Sequence, residues 1–116
     1  MTHVVLDTNV LVSALLSPQG APAQVLRFVL ADRIRLCVDE RILNEYYNVL
    51  TRSRFAFSVS DVNNVLIFIE AALAAGADFL VTGNLKYFSG LLAHGVRVVS
   101  PKCFLDFELN RSDSEG

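Results

Sequence analysis

The sequence predicts an α/β domain, a three-layer α/β/α sandwich with a mostly parallel sheet, and three features carry that expectation. Short apolar runs at residues 2–6, 34–38, 77–81 and 96–99 alternate with longer segments of helical spacing. That order places helices on both faces of a parallel sheet. The hydrophobic content of 53%, with a mean hydropathy of +0.43, fits a sheet buried on both faces, or a chain that hides further surface in an oligomer. The first run, Val4-Val5-Leu6, stops at Asp7-Thr8-Asn9 before apolar residues resume at Val10. Such a run is a buried strand delivering a carboxylate at its carboxyl end, with Thr8 or Asn9 capping a helix that starts at once.

A length of 116 residues suits one core, taken here as a single domain over residues 1–109 with a polar tail over 110–116. No apolar run reaches the roughly 18 residues a membrane span needs, and the first residues lack the form of a signal peptide, so a cytoplasmic protein is expected. The net charge of −2 gives no overall basic footprint, so a nucleic-acid partner would need a local patch. Cys37 and Cys103 stand on expected core elements and read as buried, reduced thiols.

The elements follow in order. Residues 9–16 form a short apolar helix, and Ser17-Pro18-Gln19-Gly20 a loop. Residues 21–32 form a second helix, with Pro22 in its first turn and an apolar stripe of Val25, Leu26, Val29 and Leu30. The strand over 34–38 alternates Ile34, Leu36 and Val38 against Arg35 and Cys37. Asp39 caps a third helix over 40–51, whose stripe of Ile42, Tyr46 and Val49 also contains Glu45. The basic-aromatic cluster of Arg52, Arg54, Phe55 and Phe57 reads first as a loop tucking its rings into the core, and second as a grip for phosphates and bases. A long helix, capped by Ser58 and Asp61, runs to a stop at Gly76. The third strand ends in Thr82-Gly83-Asn84. A tight turn over 85–88 and a short helix over 89–94 then lead to the last strand and a terminal helix, with Ser100 as cap and Pro101 at its first position.

In such a sheet ligands bind beyond the carboxyl ends of the strands. Asp7, Thr82 and Asn84 share that rim, and Glu45 can reach toward it from the helix after the second strand. A carboxylate on the core side of a helix is costly unless paired or bound to a metal. Hard oxygen donors around one point suit Mg²⁺ or Mn²⁺ and fit metal-assisted phosphodiester hydrolysis. The bland alternatives are that Asp7 only caps its helix and Glu45 only reaches solvent or an arginine. No Ser-His-Asp or Cys-His arrangement is apparent, and His3 and His94 stand apart. A phosphatase-like reading with Asp7 as nucleophile lacks a second aspartate, since Asn9 stands there, and has only Lys86 near the rim strands.

These residues also resemble a known family. Val5-Leu6-Asp7-Thr8-Asn9-Val10-Leu11, Ile42-Leu43-Asn44-Glu45-Tyr46, Ala77-Asp78-Phe79-Leu80-Val81-Thr82-Gly83-Asn84 and Val96-Arg97-Val98-Val99-Ser100-Pro101 resemble, in that order, the PIN-domain family. The closest flavour is that of the toxin components of toxin–antitoxin systems. The resemblance implies a PIN-like fold and a Mg²⁺- or Mn²⁺-dependent ribonuclease acting on RNA, often a homodimer and inhibited by a small antitoxin protein. It assigns Asp7 and Glu45 as metal-binding acids, Asn84 to a position often aspartate, and Thr8 and Thr82 to hydroxyl positions near the metal. It also implies a further aspartate at the start of the helix leading into Ala71-Ala72-Leu73. Here Val65 stands at that position with Asn64 beside it. A better-fitting alignment joins residues 61–69 directly to 70–75, with an acidic turn and a short strand missing between them, which explains the overlong helix. Glu70 and Asp78 are the remaining acids that could substitute, with Asp78 expected at the start of a strand, away from the rim. The chain is then either a working nuclease or a catalytically impaired relic that binds protein or RNA.

Overall fold

The computed structural model describes residues 1–51, 65–85 and 95–115. Among them are four strands, β1 (His3–Leu6), β2 (Arg35–Leu36), β3 (Phe79–Val81) and β4 (Arg97–Val99). Five helices accompany them: α1 (Thr8–Leu16), α2 (Ala21–Leu30), α3 (Glu40–Leu50), α4 (Val65–Ala75) and α5 (Pro101–Glu115). The strands form one parallel sheet in the order β2-β1-β3-β4. The chain leaves β1 on one side for β2 and returns on the other for β3, so the order reverses between β1 and β3. That reversal opens a crevice at the carboxyl ends of these two strands.

Alternation along β1 builds a core on each face of the sheet. Val5 packs with Leu80 of β3, Ile42 and Tyr46 of α3, and Phe68 and Ala72 of α4. Val4 and Leu6 point the other way, among Val25 and Phe28 of α2, Phe104 of α5, and Phe79 and Val81 of β3. Phe79 meets Phe104 edge-on, with ring centroids 5.2 Å apart. The near-continuous apolar character of β1 and β3 thus follows from their having no wet face.

Local signals place most helix ends. The Asp39 carboxylate accepts from the Ile42 amide at 2.9 Å, and the Ile42, Tyr46 and Val49 stripe of α3 is buried as expected. Gly76, with φ +61°, ends α4: its amide donates to Leu73 O and that of Ala77 to Ala72 O, the pairing a left-handed residue permits. The Ser100 hydroxyl accepts from the Cys103 amide at 3.1 Å.

Several expectations are corrected. Helix α1 begins at Thr8, with Asp7 rather than Thr8 or Asn9 in the cap position, and the Asp7 side chain makes no capping hydrogen bond. Strand β2 is two residues long, and Val38 beyond it is exposed. On α2 the core position is filled by Phe28, while Leu30 is 78% exposed. The helix closes just after Leu30 through Asp32 at φ 63°, whose turn sends the Arg33 amide back to Phe28 O, so its last residue faces away from the sheet. Helix α5 continues past residue 109 to Glu115, and Cys103 on it is exposed. Cys37 is half-buried, and burial pushes its thiol pKa up. The expected overlong helix is described only as α4, which is continuous through Ile69-Glu70-Ala71. The cap at Ser58 and Asp61, the cluster at 52–57, Lys86, His94 and the helix over 89–94 lie outside the described residues, as does most of the turn over 85–88.

The Asp39 cap makes a testable contribution. Its amide partners, Ile42 foremost, hold the carboxyl below its ordinary pKa, so its stabilisation is present above the unfolded value and fades as pH falls through the folded one. Urea denaturation of Asp39→Ala should show a loss of about 1 kcal/mol at pH 7. That deficit should shrink below about pH 4.

Candidate active site

The β1–β3 ladder runs one residue past the strands: the Asp7 amide donates to Val81 O at 2.9 Å. The next pair does the same on the other side, with the Thr82 amide donating to Val99 O at 2.9 Å. Asp7 and Thr82 therefore leave the sheet side by side at the crevice. The Thr82 hydroxyl donates to Asp7 Oδ2 at 2.7 Å and accepts from the Asn84 amide at 3.0 Å. Thr82 itself is fully buried. A second tie crosses the crevice, from the Gly83 amide to Asn9 Oδ1 at 3.3 Å.

Electrostatics single out Asp7. Burial raises its pKa above the ordinary carboxylate value, and the Thr82 hydroxyl, followed by the nearby amides of Asn9 and Thr8, which form no capping hydrogen bond with it, pulls it only partly back. The site thus holds a carboxyl that is costly to ionise, and no positive group among the described residues offsets that cost, as cation-binding acids are held. Next to it, Thr8 is buried and its Oγ1 has no hydrogen-bond partner among the described residues, leaving an oxygen that water or a ligand would satisfy.

Tyr46 brings α3 to this end of the sheet. Its hydroxyl donates to the carbonyl of Leu6, the residue before Asp7, at 2.5 Å. Burial, and after it the Asp7 charge, drives the phenol pKa up, so the group stays a donor. Glu45 precedes Tyr46 on α3 and is half-buried. The structure therefore links Asp7, Thr82 and the Asn84 backbone by hydrogen bonds and sets Thr8 beside them. Glu45 sits one residue from the tyrosine that contacts the strand end. The Asn84 side chain belongs to an exposed residue. Tyr46 and Asn9 were visible in the sequence only as a core stripe residue and a cap; the apolar helix turn around one and the Gly83 contact of the other arise from tertiary pairing.

The other acids are engaged elsewhere. Glu70 pairs with Arg41 at 3.1 Å on the surface, and Asp78 accepts from the His3 amide at 2.8 Å at the amino ends of the strands. No cluster of three or more His, Cys, Asp or Glu occurs among the described residues. The donors at the rim are all oxygens, with one desolvated carboxylate and one orphaned hydroxyl. Such a set fits a hard divalent cation that keeps several of its waters.

Residues 3–67 match the model of the PIN domain, which is more than half of the chain, and the chain belongs to the PIN-domain family, a family of nucleases. No curated protein and no solved structure matches it. Among the described residues no helix is long and apolar enough to cross a membrane.

The raised Asp7 pKa carries a prediction. The folded chain holds that proton more tightly than the unfolded one, so with metal chelated its contribution to stability falls as pH rises through the folded value. Asp7→Asn removes the charge and keeps an acceptor for Thr82. In EDTA its Tm at pH 7 should equal or exceed that of the parent, and its Tm should vary less with pH above about 4. A lower Tm would contradict the burial cost.

Proposed function

We propose that the chain is a metal-dependent endoribonuclease of the PIN type, with Mg²⁺ or Mn²⁺ held by Asp7 and Glu45 and assisted by Asn84. The observation that carries this reading is the desolvated Asp7 carboxyl held by Thr82 at the β1–β3 crevice. The resemblance of the Asp7-Thr8-Asn9 and Thr82-Gly83-Asn84 segments to toxin components extends the proposal to a toxin–antitoxin pair, with a small antitoxin as inhibitor and a homodimer as the working form.

When bound, a divalent cation supplies Lewis-acid chemistry, lowering the pKa of water and stabilising charge on phosphoryl oxygens. The chain's own residues fix geometry. Thr82 aims one carboxylate oxygen of Asp7 and leaves the other for binding. Tyr46, kept protonated, braces the end of β1 against α3, the helix that carries Glu45. Thr8 offers its buried hydroxyl to a water or a phosphate oxygen.

Single-stranded RNA incubated with Mn²⁺ should be cut internally, and EDTA or Asp7→Asn should reduce cutting to background. Thr82→Val should slow it by roughly tenfold or more, as loss of an outer partner does, with Thr82→Ser restoring it. Val65 at the position of the further aspartate favours a second reading, an RNA- or protein-binding relic. Equal, negligible cleavage by the parent and Asp7→Asn would select it.

A further inference from the structure

Beside the candidate active site lies a cavity of about 340 Å³ whose wall includes Asn9, Ser13, Ala21, Gly83, Ser100 and Lys102. It is contiguous with the Asp7 crevice: Asn9 and Gly83, which tie the two strand ends together, belong to both. We propose that this cavity is a subsite for a backbone phosphate of single-stranded RNA, flanking the phosphodiester at Asp7. The proposal rests on the nuclease reading only for which bond is flanked.

Val10, Ala21, Pro22 and Pro101 make part of the wall apolar, and its polar groups point to an anion. Among the described residues, those lining it include no carboxylate, although the chain has twelve acids and a net charge of −2. Among the described lining residues Lys102 is the one cation. It is exposed and forms no salt bridge with a described residue. Asn9 Oδ1 accepts from Gly83, so its amide nitrogen remains a donor, and Ser13 adds an exposed hydroxyl. Residues from the first turns of α1, α2 and α5 line the cavity, and the partial positive charges of those helix ends add to that of Lys102. Prolines in two of those first turns, Pro22 and Pro101, carry no N–H. The lysine ammonium is therefore the main attraction, with helix amides secondary.

A contact of this kind reads phosphate and carries no sequence information. It also sets a positive region beside the acid, so a strand crossing the rim meets Lys102 on one side and Asp7 at the reacting centre.

Fluorescence anisotropy of the full chain with two short single-stranded RNAs of unrelated sequence, in EDTA, tests this without cleavage. Lys102→Gln should weaken both several-fold and equally, and should make log Kd against log salt shallower by about 0.7, the value for one phosphate on a single strand. Lys102→Arg should bind as the parent does. Ser13→Asp, which puts a carboxylate at the cavity, should weaken binding as well. All variants should keep the parent's Tm. Unchanged affinity and slope in Lys102→Gln, a loss confined to one sequence, or no binding by the parent at low salt would each overturn the subsite. Asp7-dependent cleavage with an unaltered slope would sink the subsite and spare the nuclease. A Lys102-dependent slope in a chain that never cuts would do the reverse.

Discussion

β1 is hydrogen-bonded along both edges and packed on both faces, and the rest of the molecule takes its place from that strand. A strand so enclosed leaves its side chains little freedom and its end little room to shift. The residue that follows inherits this rigidity. The Asp7 amide is still held by Val81, so the carboxylate is aimed by backbone pairing before any side chain touches it. Thr82 inherits the same fixity from β3. Their hydrogen bond joins two positions that the sheet has already brought together, which is how a rigid scaffold makes a loop-level site exact in geometry.

The rim then divides by charge. Among the described residues, Asp7 lies where burial disfavours its ionised form and no cation compensates it, whereas the neighbouring cavity holds a lysine and no acid. For an anionic strand approaching a chain of slightly negative net charge, Lys102 is a favourable point of arrival, and it lies near the group that would bind a metal. Local patterning of this sort, and not the overall charge, decides whether an acidic protein can receive nucleic acid.

What could be read from the sequence follows the range of the forces involved. Asp39, Gly76 and Ser100-Pro101 were legible as helix ends because a cap acts within one turn. The α3 stripe and the apolar β1 were legible because period alone reports burial. Asp7, Thr82 and Asn84 could be placed on one rim because parallel strands share a direction. Leu30 and Phe28 could not be ranked, since the turn at Asp32 decides which of them meets the sheet. Cys103 reads as core in a helical pattern, yet the face α5 turns to α2 and β3 is chosen by Phe104 and not by it. Tyr46 looks like any aromatic in a buried stripe. Only its hydroxyl, 2.5 Å from the carbonyl before Asp7, shows that it couples a helix to the strand end, and no local signal encodes that partner.

The exposed Cys103 gives the molecule a natural optical handle. It follows Lys102 directly on the first turn of α5, so a small environment-sensitive dye attached through a maleimide would sit one residue from the cavity wall without any engineered residue. Cys37, half-buried and with its thiol pKa raised, is the less reactive of the pair. Selective labelling of the native chain is therefore within reach of ordinary thiol chemistry, and the emission of that dye would follow strand arrival in real time.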